Sequence, residues 1–468
     1  MSAVLRGGIP DVRGKRALVY SLGIEGRDLA AWLLRNGASV TMSDTRSEEA
    51  LRAAGATAPE GVERVVTGQP FLPPDGFDLL AVSQSVLRHD PMVVRARELG
   101  VPVVSQMELF LRLCPGRVIG ITGSSGKSTT TALVGAMARA AGIEHIVGGN
   151  IGEALLGRLD EIRDTTTVIL EISHTQLQYI DRGPDIAAIT NITPNHLDQF
   201  SWDEYVGLKR RILETQCTES VAVLNADDET SRGLFEDVRG ELHLACRRES
   251  PGTHDGAHLG DSAIYLRKWG TVARLLDSSE IQLRGEHNLA NVVMACAIAD
   301  AAGFDRTAIA EGARTFRGVA HRLEVVGQVD GVTYVNDSIA TSPERTIAGL
   351  RAFEEPVVLL LGGREKHLPL EGLRELVRRR CRAVVCFGEA RDLFFEQVAA
   401  AAPQQARVET LEEAVTAAKG FAQAGDVVLL SPGATSFDAY PNFEARGEEF
   451  RTLVRRLPGF EEVPAWPR

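Results

Sequence analysis

Residues 120–130, GITGSSGKSTT, carry the strongest chemical signal in this chain. A glycine-rich turn between a strand and a helix aims successive backbone N–H groups at a phosphate, the helix N-terminus adds partial positive charge, and Lys127 supplies a full one. Gly123, Ser124, Ser125 and Gly126 form the turn, and Ser128 and Thr129 follow with hydroxyls, Ser128 in position to hold a magnesium ion that bridges phosphates. The longer pattern G-x-x-x-x-G-K-[ST] would need glycine where Ile121 stands, so the shorter G-x-x-G-K-S is what remains. Its strand-before, helix-after context favours nucleotide binding over an ordinary glycine-rich helix start.

Other polar groups fall at the ends of expected strands. Glu171 follows the apolar run Val168-Ile169-Leu170 and should emerge at the carboxyl edge of a sheet, where doubly wound folds bind ligands. His196 and Asp198 lie in a Pro/Asn/Asp-rich loop at 191–198. Singly each reads as a loop-stabilising residue; together beside a phosphate loop they favour a magnesium-nucleotide site. Lys209, with Arg210 and Arg211 in a helical run over 204–213, reads locally as part of a solvated face. Asn288, ahead of Asn291, reads as a helix N-cap. Arg322 and Asp337 stand in polar insertions that local spacing does not distinguish from interdomain salt links. Near the N-terminus, Ser21-Leu22-Gly23-Ile24-Glu25-Gly26 is a weak form of the dinucleotide fingerprint with serine at its first glycine, and Asp44 stands where a Rossmann carboxylate binds a ribose. NAD binding and a tight turn with a solvent-facing aspartate suit that spacing equally.

Positioning these groups calls for an α/β fold. Strands are predicted over 16–22, 38–42, 78–82 and 101–104, then 117–122, 167–170, 186–189 and 221–224, then 333–335, 357–361, 383–387 and 427–430. Helical patterns at 27–36, 91–99, 127–141, 204–213 and 288–301 alternate with them, which implies parallel sheets with crossover helices. Residues 458–468 read as a loose tail. A length of 468 residues is about three times the roughly 150-residue domain prior, so two to four units are expected, with boundaries near 106 and 315. At 44% hydrophobic and 24% charged, wholesale disorder is excluded. The 51 Lys and Arg against 63 Asp and Glu leave a net charge of −12, which argues against nucleic acid or anionic membrane as partner. Six scattered cysteines without C-x-x-C, no signal-like start and no apolar run near the roughly 18 residues of a span predict a reduced cytoplasmic chain without membrane insertion.

Taken in order, GSSGKST (123–129), GGN (148–150), EISHTQL (171–177), NITPNHLDQF (191–200), LKRRI (208–212), LNADD (224–228), GEHNLAN (285–291), HRLE (321–324), NDSIATSP (336–343), LGGREK (361–366) and SPGATSFDAYPNFEARG (431–447) resemble the Mur ligases over nearly the whole chain. Within that family the pattern is most similar to the members that add glutamate. The resemblance implies three domains: a Rossmann-like domain over 1–106 for the UDP of the substrate, a central P-loop-type ATPase domain over 107–315, and a Rossmann-like domain over 316–468 for the incoming amino acid. It implies an ATP-dependent peptide ligase of peptidoglycan precursor synthesis that joins D-glutamate to UDP-N-acetylmuramoyl-L-alanine through an acyl phosphate, acting as a monomer.

By the same resemblance Lys127 contacts the ATP phosphates, and Ser128, Glu171, His196 and a carbamylated Lys209 serve two magnesium ions. Asn288, Asn291, Arg322 and Asp337 match positions around ATP, the last two from the C-terminal domain. Gly23, Gly26, Asp44, Thr45 and Arg46 match the UDP site, Asn150 the muramoyl-alanyl part, and Thr341, Lys366, Ser436 and Phe443 the surroundings of glutamate. Three departures stand out. Ile339 occupies a position where many members have lysine, Ser83-Gln84-Ser85 replaces the usual S-P-G loop, and Glu171-Ile172-Ser173-His174-Thr175-Gln176 replaces E-x-S-S-F-Q. Ile339 and the altered first-domain loop keep a catalytically silent binding protein open as an alternative, and L-glutamate stays open as the acceptor because chirality at the amine-bearing carbon depends on sub-ångström pocket shape.

Overall fold

Continuous apolar runs and amphipathic helices assemble into three α/β layers in the computed structural model, which describes residues 11–462 except 54, 151–153, 198, 248–251, 284 and 366–367. The first sheet has five parallel strands, with Arg16–Tyr20 central between Ser39–Asp44 and Leu79–Val82, and Arg64–Thr67 and Val103–Ser105 outside. Ala17, Leu18, Val19 and Tyr20 are all fully buried, as strands covered on both faces require. Helix Ile24–Arg35 covers one face with Leu29, Ala30, Trp32 and Leu33. Strands are added to opposite sides of Arg16–Tyr20, so its carboxyl end is a topological switch point.

A second sheet runs in the order His145–Gly149, Thr167–Glu171, Arg117–Thr122, Ile186–Ile189, Val221–Asn225, Glu241–Cys246, Asp255–Gly260, all parallel. Here the switch point is the end of Arg117–Thr122, where the phosphate loop begins. Two antiparallel strands, Ala263–Lys268 and Thr271–Asp277, extend the sheet beyond the predicted elements. Their turn is Trp269-Gly270, with φ of 49° and 80°. Positive φ at both central residues suits the right-handed twist of a hairpin, and a tryptophan there hides the turn from composition rules.

The third sheet places Gln404–Arg407, Cys381–Phe387, Val357–Gly362, Val427–Gly433 and Val332–Asn336 in parallel, then adds Glu324–Val329 and Phe460–Glu461 antiparallel. The last pairing corrects the expectation of a loose tail as far as residue 462, the rest of that stretch lying outside the described residues: Phe460 lies over Gly327, where any Cβ would overlap its ring. Among the described residues one compact unit contains those up to Ile281 together with His287–Thr315, and the other contains Gln282–Glu286 and those from Phe316 onward. All six cysteines are free, and no described helix is long and apolar enough to cross a membrane.

Candidate active site

The phosphate loop connects strand Arg117–Thr122 to helix Lys127–Ala140. Gly123 and Gly126 take φ of 150° and 82°, and a Cβ on either would overlap a neighbour, the Thr190 hydroxyl in one case and the Asn291 carboxamide in the other. Glycine is therefore required by conformation and by space. Asn191 braces the turn: its Oδ1 accepts from Ser125 N–H at 3.0 Å and its Nδ2 donates to Ser125 carbonyl at 3.2 Å. Tyr205 hydroxyl lies 3.0 Å from Ser124 Oγ, and Lys127 Nζ folds back to donate to the Gly123 and Ser124 carbonyls at 2.9 and 3.2 Å. Ser128 is half-buried and Thr129 buried at the start of the helix.

Glu171 is the last residue of Thr167–Glu171 rather than the first beyond it, and it is 3% exposed. Its Oε1 accepts from Asn150 Nδ2 at 2.9 Å, while its Oε2 is buried without a hydrogen-bond partner. Leaving such an oxygen unmatched costs free energy, and a hard divalent cation with oxygen ligands relieves it, so this carboxylate fits a magnesium site. Lys209 stands beside it. Helix Trp202–Glu214 starts in a Ser201/Glu204 capping box, and its buried face carries Tyr205, Leu208, Lys209 and Ile212. Lys209 is 1% exposed, which corrects the expectation of a solvated face; Nζ lies 3.4 Å from Thr122 Oγ1 and 5.0 Å from the Tyr205 ring centroid. Burial first, then the charge of Lys127, holds its amine well below the usual lysine range, with Glu171 pulling the other way.

His196 sits in the left-handed region at φ 55° on an exposed loop, its ring 4.3 Å from that of His174. Burial, then Lys209, His196 and Lys127, push His174 down to about 3, and its buried Nε2 has no hydrogen-bond partner. The His174 imidazole is thus neutral at this edge, with the His196 ring beside it. Asn288 is inside helix Glu286–Ala301, not its N-cap; its Oδ1 accepts from Asn291 Nδ2 at 3.3 Å, and Asn291 Oδ1 approaches the Gly126 backbone. The phosphate loop, Asn150, Glu171, Lys209, Asn288 and Asn291 thus share one sheet edge, with His196 reaching it through His174. Asp198 lies outside the described residues.

At the first sheet's switch point Ser21 takes φ 82°, and its Oγ accepts from Gly23 N–H at 3.1 Å. Gly26 packs so tightly on Ser21 carbonyl that a Cβ there would overlap it. Asp44 is buried, not solvent-facing: Oδ2 accepts from Leu22 N–H at 2.7 Å and Oδ1 from Arg46 N–H at 2.9 Å, while the Arg46 guanidinium grips both oxygens. Burial pushes the Asp44 carboxyl up, but Arg46 and these N–H donors outweigh it and hold the group below the usual range. Thr45 is exposed between them. A polar clamp then joins the first two sheets. Glu25 accepts from Gln84 N–H at 2.7 Å and Gln176 Nε2 at 2.8 Å, and Gln84 Oε1 accepts from the Ser173 and Thr175 hydroxyls at 2.8 and 3.0 Å.

In the second compact unit the carboxyl ends of Val332–Asn336, Val357–Gly362 and Val427–Gly433 carry the remaining candidates. Asp337 is buried, accepts from Ser431 Oγ at 2.8 Å and Leu323 N–H at 3.2 Å, and is pushed up to about 7 by burial. Arg322 lies between His321 and Leu323, both at positive φ. Thr341 follows Ile339, whose carbonyl it meets at 2.8 Å; Ser436 is 2% exposed; Phe443 opens helix Phe443–Arg455, its carbonyl accepting from Ser338 Oγ at 2.8 Å. Lys366 lies outside the described residues. Thr190 and Tyr205 were missed from sequence, and Asn191, His174 and Gln84 were seen there without a role at the site; Tyr205, four residues before Lys209 on one helix face, carried a signal that spacing alone offers.

The chain is similar to known proteins over nearly its whole length. Residues 121–299 match the Mur ligase middle domain and residues 321–433 the Mur ligase glutamate ligase domain. A Symbiobacterium thermophilum protein named UDP-N-acetylmuramoylalanine–D-glutamate ligase is 39% identical over 448 residues, covering 95% of this chain and 98% of that protein. A Clostridium botulinum protein of the same name is 36% identical over 455 residues, with the same coverage. Among solved structures, UDP-N-acetylmuramate-alanine ligase of Thermotoga maritima aligns with a TM-score of 0.55 at 20% identity, over 93% of this chain and 98% of that one. The D-alanyl-D-alanyl-adding ligase of Acinetobacter baumannii also gives 0.55, at 16% identity over 96% and 94% of the two chains. At such identities the structures attest the fold.

Proposed function

The chain belongs to the Mur ligase family of ATP-dependent peptide ligases, and from that premise we propose that it joins the amine of D-glutamate to the terminal carboxylate of UDP-N-acetylmuramoyl-L-alanine, in cytoplasmic peptidoglycan precursor synthesis. The observation that carries the reading is the unpartnered, buried Glu171 Oε2 beside Lys209 and the phosphate loop.

A free carboxylate resists amide formation because its carbon is a poor electrophile and oxide a poor leaving group. In the proposed reaction a carboxylate oxygen attacks the γ-phosphorus of ATP, forming a C–O–P linkage as ADP departs. The amine then attacks the carbonyl carbon, the tetrahedral species collapses with the C–O electron pair leaving on phosphate, and the amine sheds its proton to solvent. Both partners of the first step are anionic, so neutralisation and alignment dominate the barrier. Lys127 and the N–H groups of 123–129 receive the phosphates, Asn288 and Asn291 shape the same loop, and Asn150 holds the acyl end against Glu171. Magnesium, when bound by Ser128, Glu171 and His196, supplies the remaining positive charge. In this reading Gly23, Gly26, Asp44, Thr45 and Arg46 bind UDP, Arg322 and Asp337 contact ATP, and Thr341, Lys366, Ser436 and Phe443 take glutamate, with domains at 1–106, 107–315 and 316–468.

Lys209 is read as a carbamate. Its low-lying pKa leaves the amine neutral, with a lone pair that attacks the carbon of CO₂; one N–H proton goes to solvent, and the neutral amine becomes an oxygen-bearing anion that would suit a second magnesium ion. The test is phosphate release with UDP-N-acetylmuramoyl-L-alanine and, in turn, D-glutamate, L-glutamate, meso-diaminopimelate and L-lysine. Release with D-glutamate alone is expected; equal release with all four, or release without any amino acid, contradicts the assignment.

A further inference from the structure

Arg446 is 0% exposed, on helix Phe443–Arg455. Its Nε donates to Ser338 Oγ at 3.0 Å and its Nη2 to Ser338 carbonyl at 2.9 Å, while Nη1 donates to the carbonyls of Gly362, Ala434 and Thr435 at 3.3, 3.2 and 3.2 Å. Every one of these acceptors is neutral. Among the described residues no carboxylate lies within ion-pair distance of Arg446; Asp438, whose field reaches it, accepts instead from Glu389 N–H at 3.1 Å. A desolvated cation without a counter-ion is expensive to keep, and hydrophobic packing would serve a purely structural purpose at lower cost.

The location suggests what the charge does. Ser338, Gly362 and Ala434 leave the carboxyl ends of three neighbouring strands, Val332–Asn336, Val357–Gly362 and Val427–Gly433. Those same loops carry Thr341 and Ser436, and Ser338 Oγ also donates to Phe443 carbonyl. Gly363, at φ 121°, brings its backbone against the guanidinium, where a Cβ would stand 2.9 Å from Nη1. One arginine therefore holds three loops together and places a positive charge directly beneath them.

We propose that Arg446 is a positioning and specificity residue for the acceptor amino acid, whose fork sets the register of the three loops and whose buried charge favours a side-chain carboxylate over a neutral amide. This rests on the glutamate reading above.

The test compares kcat/KM for D-glutamate with that for D-glutamine in the full-length enzyme, in wild type, Arg446→Met and Arg446→Lys. Removing the charge is expected to lower the glutamate-to-glutamine ratio by about tenfold or more, whereas Arg446→Lys keeps the ratio while losing kcat. A smaller fall in Arg446→Met, an equal loss for both amino acids, or a ratio lost as fully in Arg446→Lys would overturn the proposal. Arg446→Gln replaces the methionine variant if that one does not fold, and the ratio in Arg446→Lys decides if neither neutral variant folds. Failure of the wild type to use glutamate would instead overturn the functional reading, a separate outcome.

Discussion

Burial changes what a lysine is. Lys209, Arg210 and Arg211 are consecutive, yet Arg210 pairs with Glu214 at 3.1 Å on the surface while Lys209 points inward with an amine held well below its ordinary range. Sequence patterning sees three cations and reads a solvated face; which of three directions on the helix meets the sheet depends on tertiary packing, which is why the local reading of Lys209 failed. Lys209→Ala should abolish ligation, and a small added carboxylic acid should restore part of it by standing where the proposed carbamate would; full activity of the variant contradicts the carbamate. Labelled bicarbonate followed by carbon NMR should show a carbamate signal absent from Lys209→Ala. A second residue-scale consequence concerns Asp337, whose carboxyl is raised from 3.8 to about 7 by burial. The folded state then keeps a proton that the unfolded chain has lost, so stability falls as pH rises from about 4 to about 7 and is level above that. In urea titrations Asp337→Asn should flatten this slope; an unchanged slope contradicts it.

At the scale of elements, the strands and crossover helices were legible because buried parallel strands read as unbroken apolar runs, and strand Ile186–Ile189 lies where its residues predict it. Edges were less legible: the hairpin at Ala263–Lys268 and Thr271–Asp277 and the closing strand Phe460–Glu461 depend on a tryptophan turn and on space above Gly327, which no local pattern announces. Loops that touch were not legible either. Gln84 and Thr175 each depart from the family pattern, and only in the fold do the two departures meet through the Gln84 side chain. Gln84→Ala should therefore cost about 1–3 kcal/mol, by removing the acceptor that the Ser173 and Thr175 hydroxyls share, and should raise KM for the UDP substrate several-fold; thermal denaturation and substrate titration check both. Gly126→Ala, forced to φ 82° against Asn291, should weaken binding of a non-hydrolysable ATP analogue by at least about tenfold in calorimetry.

On the scale of the whole molecule, a net charge of −12 coexists with three anionic substrates. Part of the resolution is local: Lys127 folds over its own loop, Arg46 grips Asp44, and Arg446 is buried beneath three strand ends, so single cations stand at the sites proposed for phosphate and carboxylate. That arrangement serves a chemistry in which a carboxylate must attack a phosphate. It makes one demand that partial activities do not: an oxygen of the substrate carboxylate must leave on phosphate. UDP-N-acetylmuramoyl-L-alanine labelled with ¹⁸O in its terminal carboxylate, turned over with ATP and D-glutamate, should yield inorganic phosphate carrying one ¹⁸O for each peptide bond formed. Peptide formation with unlabelled phosphate would contradict the acyl-phosphate route and with it the role given to the phosphate loop, Glu171 and Lys209.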